Sequence, residues 1–256
     1  MEKVFHVDLL QVKVYNDRTS MGENAAAEAI CILKDLLSRK SELNIVFAAA
    51  PSQNEFLAHL KQAEGVDWTR VNAFHMDEYT GLPVSAPQSF GNFLKARIFE
   101  ELPFREIFYI RGNDGDAECE RYTKILEQHP PDIVFMGIGE NAHLAFNDPP
   151  VANFDDPLKV KLVPLDLACR QQQVNDGCFI SLEEVPREAI TLTIPVLMSA
   201  PHIFCMVPGS RKAAAVFNSL TQAIQTYYPA SILRMHPGAT LYLDKQSFGM
   251  MSTQNI

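Results

Sequence analysis

The sequence predicts an α/β fold, a three-layer sandwich in which helices cover both faces of a mainly parallel, Rossmann-like doubly wound sheet. Short continuous apolar runs, such as 43–50 and 132–136, are typical of strands that are buried on both faces. Helical patterns alternate with such runs from end to end, as expected of parallel strands joined by crossover helices. No linker rich in Gly, Ser or Pro interrupts this order, so we predict one domain spanning 1–256.

The predicted elements follow one another along the chain. Ser20 precedes a helix whose apolar residues fall on one face, and Ser52 with Glu55 forms an S-x-x-E capping box that opens another helix. Apolar, β-rich runs lie between the helices. In order, we predict strands at 5–15, 43–50, 71–75, 107–110, 132–136, 189–193, 202–207 and 239–243, and helices at 22–39, 52–60, 89–101, 116–129 and 210–223.

Segment 147–176 does not fit this alternation. It is long and polar, and it carries Pro149, Pro150 and Pro157. A stretch of this length in a compact domain is usually a functional lid, or it contains structure that the local pattern does not reveal. We therefore predict a lid segment at 147–176.

Composition excludes several classes of protein. The 256 residues carry 22 Lys and Arg against 31 Asp and Glu, and the net charge of −9 disfavours nucleic acids and anionic membranes as partners. No apolar run approaches the roughly 20 residues that cross a bilayer, and the N-terminus has no signal-peptide pattern. The five cysteines include no CxxC pair, which favours reduced thiols. We expect a cytoplasmic protein.

Chemically useful side chains follow four of the predicted strands. The carboxyl ends of parallel strands meet at one edge of a sheet, where ligands bind. Carboxylates, an imidazole, helix-opening hydroxyls and a basic pair at such an edge predict an acid/base site for an anionic small molecule. The residues are Ser52, Gln53 and Asn54 after 43–50, Asp77 and Glu78 after 71–75, Gly139 and His143 after 132–136, and Arg211 and Lys212 after 202–207.

Each of these features also has a plainer interpretation. Asp77 and Glu78 could be solvated loop charges, and the basic pair that contains Lys212 could merely cap a helix. The pattern Gly137-x-Gly139 lacks the third glycine of a dinucleotide fingerprint, so we do not expect NAD. His75 lies two residues before Asp77, but no third ligand has suitable spacing, so we expect no metal.

Four motifs resemble the glucosamine-6-phosphate deaminase/isomerase family, and their order matches over about residues 20 to 245. The related 6-phosphogluconolactonases share the fold, but they carry Asp-Glu-Arg where this chain has Asp77-Glu78-Tyr79. The deaminases are therefore the closer match. The motifs are MDEYTGLP (76–83), GIGENAHLAFNDPP (137–150), EVPREAITLTIP (184–195) and PGSRKA (208–213).

The resemblance implies isomerisation of a 2-amino-sugar 6-phosphate, such as glucosamine- or galactosamine-6-phosphate, with loss of ammonia to give a ketose phosphate. Asp77 matches the base that moves a proton between C2 and C1. His143 matches the acid/base that opens the sugar ring, and Asp148 stands where a carboxylate orients it. Lys212 matches the phosphate-binding lysine. The chemistry needs no cofactor, and the family contains monomers and oligomers, so a homo-oligomer stays open.

The chain departs from the family pattern at several of these positions. Asn141 replaces an Asp, and an amide can hold His143 by a hydrogen bond but cannot stabilise its cation by charge. We therefore expect Asn141→Asp to raise deaminase activity. Asp148 replaces a longer Glu. The phosphate arginine of the family has no clear counterpart: Arg170 is the nearest candidate, and the others are Arg211 and Arg234.

The first phosphate loop departs further, because the family usually has a Gly-Gly turn with Thr on both sides where this chain reads AAPSQNE (49–55). Ser52, Gln53 and Asn54 could still hold a phosphate, whereas Glu55 would add repulsion. These departures keep two alternatives open. One is a sugar-phosphate isomerase without deamination or a lactonase-like hydrolase. The other is a non-catalytic protein that binds a sugar phosphate.

Overall fold

The computed structural model describes residues 2–251. The strands are β1 (Lys3–Val7), β2 (Leu10–Tyr15), β3 (Leu43–Phe47), β4 (Val71–His75), β5 (Asp77–Tyr79), β6 (Glu106–Phe108), β7 (Ile133–Met136), β8 (Val160–Pro164), β9 (Glu188–Leu192), β10 (His202–Val207) and β11 (Ala239–Asp244). The α-helices are α1 (Arg18–Arg39), α2 (Asn54–Leu60), α3 (Phe90–Leu94), α4 (Gly115–Gln128), α5 (Leu167–Asn175), α6 (Ile194–Met198) and α7 (Ala213–Thr221). One π-helical segment, Lys95–Phe99, continues α3.

The central sheet has the order β1-β2-β11-β10-β7-β3-β4-β6. Every neighbouring pair is parallel except β1 with β2, which form an antiparallel hairpin. The predicted α/β class with a mainly parallel sheet is therefore confirmed. Strands β3, β7 and β10 lie side by side, so the segments that follow them meet at one edge of the sheet.

Helices cover both faces of this sheet because its strands are apolar on both sides. Along β3, Ile45 and Phe47 belong to one buried cluster, and Val46 belongs to the other. The first cluster includes Leu33 of α1, and the second includes Tyr122 of α4. No helix among residues 2–251 is long and apolar enough to span a membrane.

A second, smaller sheet corrects one of the predictions. The strand expected at 189–193 is β9, but it does not join the central sheet: it pairs antiparallel with β5 and β8. A short apolar run encodes an extended backbone but does not specify its partner. This sheet determines where Asp77 lies, because Asp77 pairs with Thr191 across β5 and β9.

Three local differences have physical reasons. The run 5–15 turns back at Asp8, whose φ is +53°, and so forms the β1–β2 hairpin. The first helix begins earlier than predicted because the Asp17 side chain caps it, accepting from the Ser20 amide. The capping box predicted at Ser52 is wrong: the turn Pro51–Gln53 precedes α2, and α2 begins without a side-chain cap.

The segment 147–176 contains regular structure. Strand β8 and helix α5 lie within it, and the local pattern did not reveal either one. The amphipathic signal of α5 is weak because the helix is rich in glutamine. Whether the segment acts as a lid stays a prediction.

Candidate active site

An open cleft lies where the segments that follow β3, β4, β7 and β10 meet. Its lining includes six residues that the sequence singled out, namely Ser52, Gln53, Asp77, Gly139, His143 and Lys212. It also includes residues that the sequence did not single out, among them Arg18, Phe90, Gln172, Gln173 and Asp176.

Asp77 lines the cleft and is only 6% exposed. Burial raises its pKa well above the usual range of an aspartic acid, and the neighbouring Glu78 charge adds to this effect. A carboxylate of raised pKa is a stronger base once it has lost its proton. The environment of Asp77 therefore suits proton abstraction rather than a solvated loop charge.

Glu78 points away from the cleft and holds the start of α3. Its carboxylate accepts from the amides of Tyr79, Phe90 and Gly91 at 2.9–3.0 Å. Burial raises its pKa to about 7, although the three amides act in the opposite direction. Since Phe90 lines the cleft, Glu78 thereby fixes the part of the cleft wall that Phe90 forms.

His75 has a structural role. Its Nδ1 donates to the Asp77 carbonyl at 2.8 Å, and its Nε2 accepts from the Ile110 amide at 2.8 Å. Burial lowers its pKa to about 4, so the ring stays neutral at pH 7. Both nitrogens are occupied by backbone groups, and His75 thereby fixes the turn that presents Asp77.

The loop after β7 folds tightly around His143. Ala142 and Ala145 on either side of it have φ angles of +68° and +51°, in the left-handed region that non-glycine residues rarely adopt. A Cβ at Gly139 would lie 2.2 Å from the His143 ring. Only a glycine at this position therefore leaves room for the imidazole where it lies.

A carboxylate and an amide hold His143 from behind. Its Nδ1 lies 2.9 Å from Asp148 Oδ1, and its backbone amide donates to Asn141 Oδ1 at 3.2 Å. The Asn141 side-chain amide, through Nδ2, donates to the Asp148 carboxylate at 2.9 Å and to the Asp166 carboxylate at 3.4 Å. Burial alone would raise the pKa of Asp148, but His143, Asn141 and the Asp166 amide outweigh it and lower that pKa.

His143, Asp148 and Cys169 form the one group among residues 2–251 whose ligand atoms could hold a metal, all within 4.8 Å of one another. Burial raises the pKa of the Cys169 thiol well above its usual range, and Asp148 adds to this effect. Metals bind the thiolate, so a thiol that keeps its proton is a poor ligand. The expected absence of a metal stays a prediction.

Gln53 lies between the ends of β7 and β10. Its Nε2 donates to Ser52 Oγ at 3.1 Å and to the carbonyls of Met136 and Met206 at 3.3 and 3.4 Å. Its Oε1 is buried without a hydrogen-bond partner among residues 2–251. Phosphate oxygens are acceptors, so this acceptor suits a hydroxyl donor of a ligand better than a phosphate.

Lys212 brings an ammonium group into the cleft although it is only 8% exposed. No carboxylate among residues 2–251 forms an ion pair with it. Burial lowers its pKa, and the more distant Asp176 and Glu140 charges act in the opposite direction. A buried, unpaired cation is costly unless an anion neutralises it, so Lys212 suits an anionic ligand.

Two predicted binding residues do not reach the cleft. Asn54 Oδ1 accepts from Arg97 Nε at 2.9 Å, outside the cleft lining. Arg170 Nη2 donates to the carbonyls of Leu182 and Val185 at 2.5 and 2.9 Å. Arg170 thus connects α5 to the turn that contains Leu182 and Val185, and it does not line the cleft.

Arg18 is the arginine that the structure brings to the cleft instead. It lies in the first turn of α1, far in sequence from the other lining residues, so no local motif connects it with them. The sequence alone offers no signal for it, because its place in the cleft depends on the close packing of α1 on α2 at Gly22. We call Asp77, Gly139, His143 and Asp148 the His143 set, and Arg18, Ser52, Gln53 and Lys212 the Lys212 set.

Comparisons with known proteins find relatives along most of the chain. Residues 16–242 match the family model described as glucosamine-6-phosphate isomerases/6-phosphogluconolactonase. A glucosamine-6-phosphate deaminase from Exiguobacterium sp. is 32% identical over 240 residues, covering 93% of this chain and 89% of that protein. Another, from Streptococcus pneumoniae serotype 4, is 32% identical over 222 residues, covering 86% of this chain and 92% of that protein.

Solved structures give the same picture of the fold. A monomeric glucosamine-6-phosphate deaminase superposes with a TM-score of 0.84 at 26% identity, covering 93% of this chain and 99% of that one. A 6-phosphogluconolactonase from Trypanosoma brucei superposes with a TM-score of 0.76 at 16% identity, covering 97% of this chain and 100% of that one. The second likeness concerns the fold alone.

Proposed function

Because the chain belongs to the family of glucosamine-6-phosphate isomerases and 6-phosphogluconolactonases, we propose that it is an aminosugar-6-phosphate deaminase/isomerase. Its substrate is glucosamine- or galactosamine-6-phosphate, and its products are a ketose phosphate and ammonia. One observation carries the proposal: a buried carboxylate of raised pKa, Asp77, and a carboxylate-held imidazole, His143, line one cleft with the buried ammonium group of Lys212.

In the proposed reaction His143 opens the sugar ring by proton transfer at the ring oxygen. Asp148 and Asn141 keep the imidazole in place, so that the nitrogen opposite Nδ1 faces the substrate. The nearby carboxylate also stabilises the imidazolium form while the proton is in transit. Ring opening leaves an aldehyde at C1 and the amino group at C2.

Asp77 then moves a proton from C2 to C1. Its carboxylate removes the C2 proton while a proton of the substrate ammonium group passes to the C1 oxygen, which gives an enolamine. The protonated Asp77 then returns its proton to C1, which leaves an iminium at C2 and a hydroxyl at C1. One water adds to that carbon, and the nitrogen departs as ammonium, giving the ketose. Lys212 binds the phosphate throughout, because it supplies the buried positive charge of the cleft.

The test is to incubate the protein with each amino-sugar phosphate and measure ammonia and ketose phosphate separately. We expect both products in equal amounts. Asp77→Asn should lower kcat by about 10²- to 10⁴-fold, because it removes the base. The matched control is Asp35→Asn, an exposed aspartate of α1 that pairs with Arg39 and should leave the rate unchanged.

Four outcomes would contradict the proposal. A ketose phosphate without ammonia would indicate an isomerase, and acid formed from a sugar-phosphate lactone would indicate a hydrolase. Tight binding of the sugar phosphate with no product would indicate a binding protein. Full activity of Asp77→Asn would remove Asp77 from the mechanism.

A further inference from the structure

We propose that Arg18 binds the phosphate group of the substrate, from the first turn of α1. The inference rests on the proposed function, and it concerns a residue outside the motifs that carry the family resemblance. Arg18 lines the same cleft as Ser52 and Lys212. Of the described residues that line the cleft, Arg18 and Lys212 are the arginine and the lysine, so they supply its permanent positive charge.

The contacts of Arg18 fix its guanidinium and leave donors free. Its Nε lies 2.7 Å from Glu55 Oε1, and its Nη2 donates to Glu55 Oε2 at 2.8 Å and to the Pro51 carbonyl at 2.9 Å. A guanidinium has five N–H donors. The two on Nη1 have no acceptor among residues 2–251, so they remain available to an anion in the cleft.

Gly22 makes this reach geometrically feasible. It lies one turn after Arg18 and is buried where α1 crosses α2. A Cβ at Gly22 would lie 2.7 Å from Glu55 Cβ and 2.8 Å from the Phe56 amide nitrogen. The two helices can therefore approach closely only with glycine there, and this approach carries Arg18 over the loop that contains Pro51.

Glu55 acquires a different role from the repulsion that the sequence suggested. Its carboxylate holds the Arg18 guanidinium by two contacts, so the negative charge of Glu55 is balanced by Arg18 beside the cleft. A guanidinium that is already oriented loses less conformational freedom when it binds phosphate. Glu55 is therefore a positioning residue for Arg18.

The other arginines that the sequence offered are occupied elsewhere. Arg170 binds backbone carbonyls next to α5. Arg211 does not line the cleft; it donates to the Asn175 carbonyl at 2.5 Å. Arg234 pairs with Asp8 at 2.6 Å. None of the three has its guanidinium in the cleft, so Arg18 is the arginine that can bind the phosphate there.

The experiment measures binding without turnover, with inorganic phosphate as the probe in calorimetry. Arg18→Met should weaken phosphate binding roughly 10- to 100-fold, because it removes charge-assisted hydrogen bonds. Arg18→Lys should lose less phosphate affinity, since it keeps the positive charge and gives up only the paired N–H donors of the guanidinium. The matched control is Arg39→Met at the other end of α1, which also loses an arginine paired with a carboxylate.

A second measurement separates phosphate binding from a purely structural role. In an Asp77→Asn background, glucosamine-6-phosphate and unphosphorylated glucosamine are titrated into variants with and without Arg18→Met. We expect the loss to be confined to the phosphorylated sugar. Equal losses for both sugars, or unchanged binding of inorganic phosphate, would overturn the inference.

The outcome is also distinguishable from failure of the proposed function. If no ammonia is formed but Arg18→Met abolishes phosphate binding, then Arg18 binds phosphate and the proposed deaminase reaction is wrong. If the sugar is deaminated and Arg18→Met changes neither the affinity for phosphate nor KM, then the reaction is supported and the role of Arg18 is wrong. Arg18→Lys decides the matter if Arg18→Met fails to fold.

Discussion

The His143 set and the Lys212 set meet at one cleft, but more of the contacts of His143 than of Lys212 come from the protein itself. Asp148 accepts from Asn141 and lies 2.9 Å from His143, and the loop around His143 has left-handed angles on both sides. In the Lys212 set, the ammonium group and Gln53 Oε1 have no partner among residues 2–251. His143 is therefore held by the protein itself, whereas Lys212 and Gln53 Oε1 leave contacts for a ligand to complete, and Arg18, which Glu55 holds, lies between these two cases.

The largest effect on rate should come from Gly139→Ala, which adds a methyl group beside the His143 ring. Gly139→Ala would place a Cβ 2.2 Å from the His143 ring, so the imidazole must move. A displacement of about 1 Å can cost about 10²-fold in rate, and we expect kcat to fall by that amount. Binding of inorganic phosphate should stay within about threefold of wild type.

The matched variant is Gly137→Ala, whose Cβ would lie 3.2 Å from Gln53 Nε2 and 3.4 Å from Ser52 Oγ. It should raise KM a few-fold and leave kcat nearly unchanged. If the two glycine variants showed the same division between kcat and KM, the contrast between the two sets would fail.

The next effect concerns the Lys212 set. Lys212→Met should weaken binding of inorganic phosphate about 10- to 100-fold, because a charge-assisted contact is lost. It should not lower the melting temperature of the unliganded protein, since burying an unpaired ammonium group is unfavourable. Calorimetry and thermal melting check both. A lower melting temperature with intact phosphate binding would make Lys212 a structural residue.

A third prediction revises an expectation from the sequence. Asn141→Asp should not raise activity by itself, because Asn141 Nδ2 donates to the carboxylates of Asp148 and Asp166. A third carboxylate would repel both, and the free energy of unfolding should fall by about 1–3 kcal/mol. Denaturant unfolding and kcat of the single variant measure this.

The double variant Asn141→Asp/Asp166→Asn provides the control, because it removes the repulsion at residue 166 and keeps the one at Asp148. We expect it to recover part of the stability lost in the single variant. If Asn141→Asp alone is both stable and faster than wild type, then the repulsion inferred from these distances is absent.

The smallest effect on rate should come from Glu78→Gln. The Glu78 charge raises the pKa of Asp77, so its removal should move the acid limb of the pH–rate profile to lower pH. Glu64→Gln, an exposed site, should leave the profile in place. An unshifted limb in Glu78→Gln would mean that the two carboxylates do not interact.

The same variant should change how stability depends on pH. The pKa of Glu78 is raised to about 7 from an ordinary 4.5, so the folded protein binds this proton more tightly than the unfolded chain. Its contribution is full below about pH 4.5 and is lost as pH rises through about 7. Melting temperatures across this window should show a smaller decline in Glu78→Gln.

The His143 set was predictable because its members lie in two continuous motifs, each directly after a strand. Asp77 follows β4, and His143 and Asp148 follow β7. A parallel sheet brings such ends together whatever the rest of the chain does. The parallel sheet itself was predictable for a related reason, since strands buried on both faces have a distinctive apolar pattern.

The Lys212 set was only partly predictable. Lys212 and Ser52 also follow strands, but Arg18 reaches the cleft through the crossing of α1 over α2 at Gly22. The second sheet is a similar case, because β5, β8 and β9 are short and their pairing depends on distant partners. Local sequence carries little information about either arrangement.

By itself, the sequence determined the α/β class, the edge of the sheet where the cleft lies, and Asp77, His143 and Lys212 as residues that line it. Tertiary structure decided that Arg18 rather than Arg170 reaches the cleft, and that Glu55 serves it. Strand ends are positioned by a regular pattern of backbone pairing that the sequence reveals locally. The direction of a long side chain depends on helix packing, which arises only when the whole chain has folded.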